Sequence, residues 1–279
     1  MKTNKMIAAE LRRMADFLDR REAEAPKAVP VELTNMDDVM SMPFREFSER
    51  YLKVVHPTQG LIPLKLYDYH RRYVRALERN RFVIARKFRQ GAFTTMTLGW
   101  MLWKIMYSTD QSYMVMTKTD REAIWCGQIV KQMYDQMPEH LRPDTNVRNY
   151  HEMRFADTGS SIYFGTPEAT CGKSINFLLC DEMSFWKNAD AHWKSMYPTL
   201  STGGRCVILS TPNGKGEPKN PNFFWKTWEA SIDNLNDFEP FTASYVEHPD
   251  YQNEEWVHQA KKNLGDKGWR QEVLQEFLD

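Results

Sequence analysis

Residues 82–85, FVIA, form an unbroken apolar run, the pattern of a parallel strand covered on both faces. The run passes through a basic loop, RKFRQGAF, into Thr94-Thr95 and the stretch MTLGWMLWKIMY, where Met96, Leu98, Met101, Leu102, Ile105 and Met106 keep roughly helical spacing. A strand, a turn with Gly91-Ala92 and a helix start, in that order, predict a phosphate-binding loop, in which exposed backbone N–H groups and the positive helix end face an anion. Two more apolar runs end in polar residues. FLLC at 177–180 leads into Asp181 and Glu182, and CVIL at 206–209 into Ser210 and Thr211, followed by a turn at Pro212, Asn213 and Gly214. Each predicts a buried strand with its polar groups at the carboxyl end, where open α/β sheets bind ligands.

Other segments have plainer patterns. Residues 7–24 read as an amphipathic helix with Ile7, Leu11, Met14, Phe17 and Leu18 on one side, ended by a loop containing Pro26 and Pro30. SYMVMT at 112–117 predicts a strand, and Thr119 with Glu122 a capping box for a helix running to about Gln136. Met153–Phe155 and Ile162–Phe164, separated by Asp157-Thr158-Gly159-Ser160, predict a hairpin, expected as peripheral decoration. After the turn-rich KGEPKNPN, the row FFWKTW among acidic neighbours reads as the core of a small helical lid rather than a base-stacking surface.

The loop does not meet G-x-x-x-x-G-K-[ST], because Phe93 stands where the lysine precedes the first threonine. Lys87 lies at the other end, flanked by Arg86 and Arg89, and a cation there can serve the β- and γ-phosphates. Asp181 then suits the Mg²⁺ shell and Glu182 the attacking water. The hydroxyls of Ser210 and Thr211 can sense the γ-phosphate or its water. Each motif alone also reads as an ordinary basic turn, a solvent-facing strand end or a plain strand and turn; the combination favours nucleotide.

Together, KFRQGAFTT, FLLCDEMSFW and LSTPNG, in this order and spacing, resemble the ATPase domain of the large terminase subunit of tailed bacteriophages, over roughly Leu66 to Gly214. The resemblance implies an α/β P-loop NTPase of the additional-strand, RecA-like class: a three-layer sandwich with a mostly parallel central sheet and a small helical lid subdomain. It implies ATP and Mg²⁺ as cofactors, with Lys87, Arg89 and Glu182 catalytic and Thr94 and Asp181 holding the metal. Arg86, Gln90, Gly91, Ala92, Phe93, Thr94 and Thr95 would cradle the phosphates, Tyr67 and His70 would face the adenine, and Ser210 and Thr211 would couple hydrolysis to movement. The implied partners are double-stranded DNA, the portal protein of the procapsid, the small terminase subunit and further copies in a ring, in the host cell cytoplasm. The expected division is an N-terminal helix and linker at 1–60, an ATPase core at 61–215 and a C-terminal lid at 216–279, with no length left for a nuclease domain.

Three positions depart from the family pattern. The family's glycine usually sits directly before the aromatic residue or lysine, where this chain has Ala92; a φ above zero there would strain alanine. His70 in LYDYHRRYV replaces a usual glutamine, and Cys171 stands where an arginine often precedes the glycine, with Lys173 two residues on.

Composition adds little to this reading. Apolar residues make up 42%, enough for a sizeable core, and no apolar run nears the roughly 18 residues of a membrane span. The N-terminus lacks the apolar core of a signal peptide. Cys126, Cys171, Cys180 and Cys206 are scattered without metal or disulfide spacing and read as small buried residues. The zero net charge hides segregation: residues 65–90 carry nine Lys or Arg against two acids, and residues 229–279 twelve acids against four bases. Arg71, Arg72, Arg75 and Arg79 fall on one helical face, either solvated or contacting nucleic acid. Two other readings stay open: a helicase-like DNA-stimulated ATPase, which would need a second RecA-like domain, and a nucleotide-binding scaffold that has lost hydrolysis.

Overall fold

The computed structural model describes residues 42–169 and 174–279, so the expected helix at 7–24 and the positions Cys171 and Lys173 lie outside the described residues. Helix α1 (Phe44–Tyr51) and a hairpin of β1 (Lys53–His56) and β2 (Gly60–Pro63) come first. Helix α2 (Asp68–Arg79) leads into β3 (Phe82–Arg86), the loop and α3 (Phe93–Met106). Strand β4 (Ser112–Met116) and helix α4 (Asp120–Asp135) follow, then β5 (Thr145–Arg148), β6 (Glu152–Phe155) and β7 (Ser161–Gly165). Strand β8 (Phe177–Asp181), helix α5 (Ala189–Met196) and β9 (Arg205–Ser210) come next. A short ribbon of β10 (Gly216–Glu217) and β11 (Asn220–Pro221) precedes α6 (Phe223–Ile232), β12 (Phe238–Thr242) and α7 (Glu254–Gly268).

Eight strands form one sheet in the order β12-β3-β9-β8-β4-β7-β6-β5. All neighbours from β12 to β7 are parallel, and β7-β6-β5 are antiparallel. Strand β9 lies between β3, which feeds the loop, and β8, which ends in Asp181; this inserted strand is the mark of the additional-strand class. Side chains alternate across the sheet. Val83, Ala85, Leu179 and Leu209 join one apolar cluster with residues of α1 to α4, while Phe82, Ile84, Cys180 and Ile208 join a second with residues of α5 and α6. The result is the expected three-layer sandwich.

Helix α3 explains why the loop is firmly held. Of its residues only Thr95 and Lys104 escape burial, so it is a helix enclosed on all sides rather than an amphipathic one. Burying each large apolar side chain there contributes about 1.5–3 kcal/mol. Gly99 lets neighbouring chain approach closely, since a Cβ there would lie 2.8 Å from Leu64 Cδ2.

The strands at 82–86, 112–116, 177–181 and 205–210 and the helix from Thr119 match the sequence expectations. The Thr119 side chain accepts the Glu122 N–H, the N-cap half of the expected capping box, while the Glu122 carboxylate pairs with Lys118 instead of reaching back to Thr119. Cys126, Cys180 and Cys206 are buried. Three expectations change. The hairpin β6-β7 is not decoration, because β7 pairs in parallel with β4 and carries the antiparallel end of the central sheet. The FFWKTW row is helical but packs on the sheet through Phe224 and Trp228 instead of forming a separate lid core. Strand β12, inside the expected lid segment, hydrogen-bonds to β3 as the edge of the central sheet.

Candidate functional site

The carboxyl ends of β3, β8 and β4 open onto a cleft of about 350 Å³, lined by residues 87–95 and by Thr117, Glu122, Trp125, Cys126, Asp181 and Glu182. The loop holds two non-glycine residues in the left-handed region, Gln90 (φ +60°) and Ala92 (φ +56°). Gly91, between them, lies outside that region and serves for close approach: a Cβ there would sit 2.8 Å from Phe88 Cε2 and 3.0 Å from Phe93 Cε2. Ala92 therefore does occupy a position with φ above zero, at a cost of about 1 kcal/mol.

Lys87 is the first residue beyond β3. Its N–H donates to Ser210 O at 3.0 Å, extending the β3-β9 ladder by one step. Sheet alternation sends its side chain to the same face as Val83, Ala85 and α3. There the buried ammonium donates to Thr94 Oγ1 at 3.0 Å and Asp181 Oδ1 at 3.3 Å, and pairs with Glu182 Oε1 at 2.9 Å. Thr94 Oγ1 lies 3.1 and 3.0 Å from the two Asp181 oxygens. Burial works against the Lys87 charge, but the Asp181 and Glu182 carboxylates outweigh it and hold the amine above its ordinary range. Burial lifts the Asp181 carboxyl, opposed by Lys87 and by the Thr94 hydrogen bond. The four residues form one hydrogen-bonded cluster in which a single ammonium faces two carboxylates.

Glu182 follows β8 in a left-handed conformation (φ +52°), which turns its side chain off the strand. Its Oε2 lies 3.3 Å from Ser210 Oγ and accepts the Thr211 N–H at 3.4 Å. Ser210 Oγ also lies 2.8 Å from Thr211 O and accepts the Ser184 N–H at 3.2 Å. Both Ser210 and Thr211 are buried beneath Glu182 and do not line the cleft. Trp186 Nε1 donates to Asp181 O at 2.9 Å, fixing the strand end from below.

Arg86 does not join the cleft. It has the parity of Phe82 and Ile84, so its guanidinium lies on the opposite face, 4.5 Å from the Trp228 ring centroid, where burial lowers its pKa to about 10 against the pull of Glu229. Arg89 lines the cleft rim and pairs with Glu272 at 3.2 Å.

His70 departs from the expected role too. It is 1% exposed, Nδ1 accepts the Tyr67 N–H at 3.3 Å, and Nε2 lies 2.8 Å from Gly91 O, so both ring nitrogens are engaged within the chain. Tyr67 stacks on His70 at 5.7 Å and meets His248 edge-on at 5.0 Å. On α2, Arg71 pairs with Asp68 and Arg72 with Glu247, so the basic face is partly neutralised.

Phe88 within the loop and four lining residues outside it had no part in the sequence reading of the site. Thr117 follows strand β4, and the strand-end rule applied to Asp181 would have found it. Glu122 and Cys126 face the cleft one helical turn apart on α4, and Trp125 is half exposed at its rim. Nothing in the local sequence marks Trp125.

No family model matches the sequence. Among solved structures, a point variant of the Thermus phage P74-26 large terminase ATPase domain is similar with a TM-score of 0.61 at 17% identity, covering 77% of this chain and 95% of that one. The HK97 bacteriophage large terminase is similar with a TM-score of 0.66 at 11% identity, over 84% of this chain and 54% of that one. A large terminase from a thermophilic bacteriophage, in complex with ADP, has a TM-score of 0.58 at 11% identity, over 76% and 54%. The chain has the fold of phage large terminase ATPase domains, a P-loop NTPase fold, and spans about half the length of the last two.

Proposed function

We propose that this chain is the ATPase motor part of a viral DNA-packaging terminase, coupling hydrolysis of Mg²⁺-bound ATP to movement of double-stranded DNA into a procapsid. The observation that carries the reading is the convergence of Lys87, Thr94, Asp181 and Glu182 at the end of a phosphate-type loop. The ADP bound by one structural neighbour is in keeping with a nucleotide in this cleft.

The donor set fits the metal. Thr94 Oγ1 and the Asp181 carboxylate are adjacent hard oxygens, and Mg²⁺ takes few protein ligands when phosphates and water complete its shell. When bound, the ion would neutralise charge on the phosphoryl group being transferred. The loop N–H groups and the start of α3 receive phosphate oxygens. Lys87 exchanges its carboxylate partners for those oxygens. That exchange frees Glu182 Oε1 to orient a water and take its proton as the water oxygen bonds to the γ-phosphorus and the bond to the β-γ bridging oxygen breaks, leaving ADP. Ser210 and the Thr211 N–H keep Oε2 aimed during the step, so a change at Glu182 is felt at the end of β9. That link is the proposed route of coupling to DNA. The portal protein, a small terminase subunit and a ring of copies are the partners this role requires, in the host cell cytoplasm.

The test is ATP hydrolysis with DNA and procapsids, alongside nucleotide titration, for wild type and Lys87→Ala. Turnover by wild type and loss of both binding and turnover in the variant are expected. Nucleotide binding with no turnover in the assembled state would move the assignment to a hydrolysis-deficient scaffold, and absence of nucleotide binding would overturn it altogether.

A further inference from the structure

We propose that His70, together with Tyr69, is a positioning residue that clamps the phosphate loop through the Gly91 carbonyl and does not read the nucleobase. The inference rests on the nucleotide-site reading above and deepens it. Gly91 O accepts two hydrogen bonds from α2, one from Tyr69 Oη at 3.1 Å and one from His70 Nε2 at 2.8 Å. With Nδ1 accepting the Tyr67 N–H, the ring is fixed as the Nε2–H tautomer and keeps no edge for a base. From the other side Tyr251 Oη donates to Gln90 O at 3.3 Å.

The clamp has a geometric consequence. In a planar trans peptide the C=O and the following N–H point in opposite directions. Fixing Gly91 O against α2 therefore turns the Ala92 N–H away from α2, and fixing Gln90 O against Tyr251 turns the Gly91 N–H away from Tyr251. These are the N–H groups a phosphate loop must present. The same tether offsets the unfavourable left-handed conformation of Ala92, which has no glycine freedom to support it.

His70 is also the third residue of α2, the place from which a Glu or Gln reaches back to the N-cap N–H. That position makes the roles separable. Glutamine at 70 can accept from Tyr67 and donate to Gly91 O; glutamate can accept but not donate.

The experiment compares wild type, His70→Gln, His70→Glu and Tyr69→Phe by kcat/KM for ATP and for GTP, with thermal unfolding as a fold control. A clamp predicts that His70→Gln retains activity and the wild-type ATP/GTP ratio. Folded His70→Glu should lose about tenfold or more for both nucleotides alike, as expected for a lost buried hydrogen bond, with Tyr69→Phe losing less in the same even-handed way. A change in the ATP/GTP ratio in His70→Gln, or full activity in His70→Glu, overturns the clamp. The ¹⁵N shifts of the His70 ring supply a readout that needs no turnover: the Nε2–H tautomer is expected at neutral pH, and the Nδ1–H tautomer or a charged ring refutes the proposal. If wild type hydrolyses neither nucleotide, the functional reading fails while the ring shifts still decide the clamp.

Discussion

The Lys87 ammonium lies 2.9 Å from Glu182 Oε1, so the proposed phosphate ligand and the proposed catalytic base restrain one another. Nucleotide binding must break that pair before water can be activated. Glu182→Gln removes the competing charge and leaves Asp181 as the one carboxylate against Lys87. Nucleotide affinity is expected to equal or exceed wild type, while turnover falls by about 10²–10⁴-fold, the usual contribution of a general base. Titration and steady-state ATPase measurements check both halves, and full turnover in the variant would remove Glu182 from the mechanism.

Adjacent cations in RKFR have different fates. Lys87 is in the cluster, while Arg86 stacks on Trp228 across the sheet. Arg86→Met, which keeps most of the volume and removes the charge, should leave nucleotide affinity within about twofold of wild type. Lys87→Met should weaken it by about 10–100-fold, the worth of hydrogen bonds to a charged group. Equal losses in the two variants would contradict the facing assigned to Arg86.

The displaced glycine predicts opposite signs at neighbouring positions. Ala92→Gly relieves a left-handed alanine and should stabilise the protein by about 0.5–1 kcal/mol, after allowing for the greater freedom of glycine in the unfolded chain. Gly91→Ala drives a methyl into the Phe88 and Phe93 rings and should destabilise by about 1–3 kcal/mol. Denaturant unfolding of the two variants provides the comparison. A stabilising Gly91→Ala would mean that the rings yield.

The parts of the fold that were legible are those whose signal is local. FVIA, FLLC and CVIL read as strands because a parallel strand covered on both faces shows no polar alternation. Their polar endings located Asp181, Glu182 and Ser210 for the same reason. Arg86 reads as a phosphate ligand because it adjoins Lys87 in sequence, although counting by twos from Phe82 and Ile84 puts it on the other face. His70 reads as an adenine contact only through its resemblance to a glutamine position, and the fold brings it within reach of a carbonyl 21 residues away. Strand β12, FEPFT, was hidden by Pro240, a residue strands tolerate at an edge, and β12 is an edge. The place of β7 beside β4 is a long-range pairing that no window of local sequence encodes.

The buried His70 ring also predicts an acid-sensitive stability. Burial lowers its pKa from 6.5 to about 4, with the Gly91 hydrogen bond opposing and the neighbouring His248 reinforcing the shift. In the unfolded chain the ring takes a proton below about pH 6.5, whereas the folded protein resists until about pH 4, so the unfolded state binds more protons between those values. Stability should therefore fall as pH drops through that window, by about 3 kcal/mol in all for this group. His248, also lowered by burial although Asp250 pulls it upward, acts in the same direction. Asp181, whose carboxyl is raised, favours the protonated folded state and acts in the opposite one. Denaturant unfolding of wild type and His70→Gln at several pH values between 7.5 and 4.5 isolates the His70 share as the difference between the two slopes. A flatter slope in His70→Gln is expected; identical slopes would mean that His70 is not held neutral by the fold.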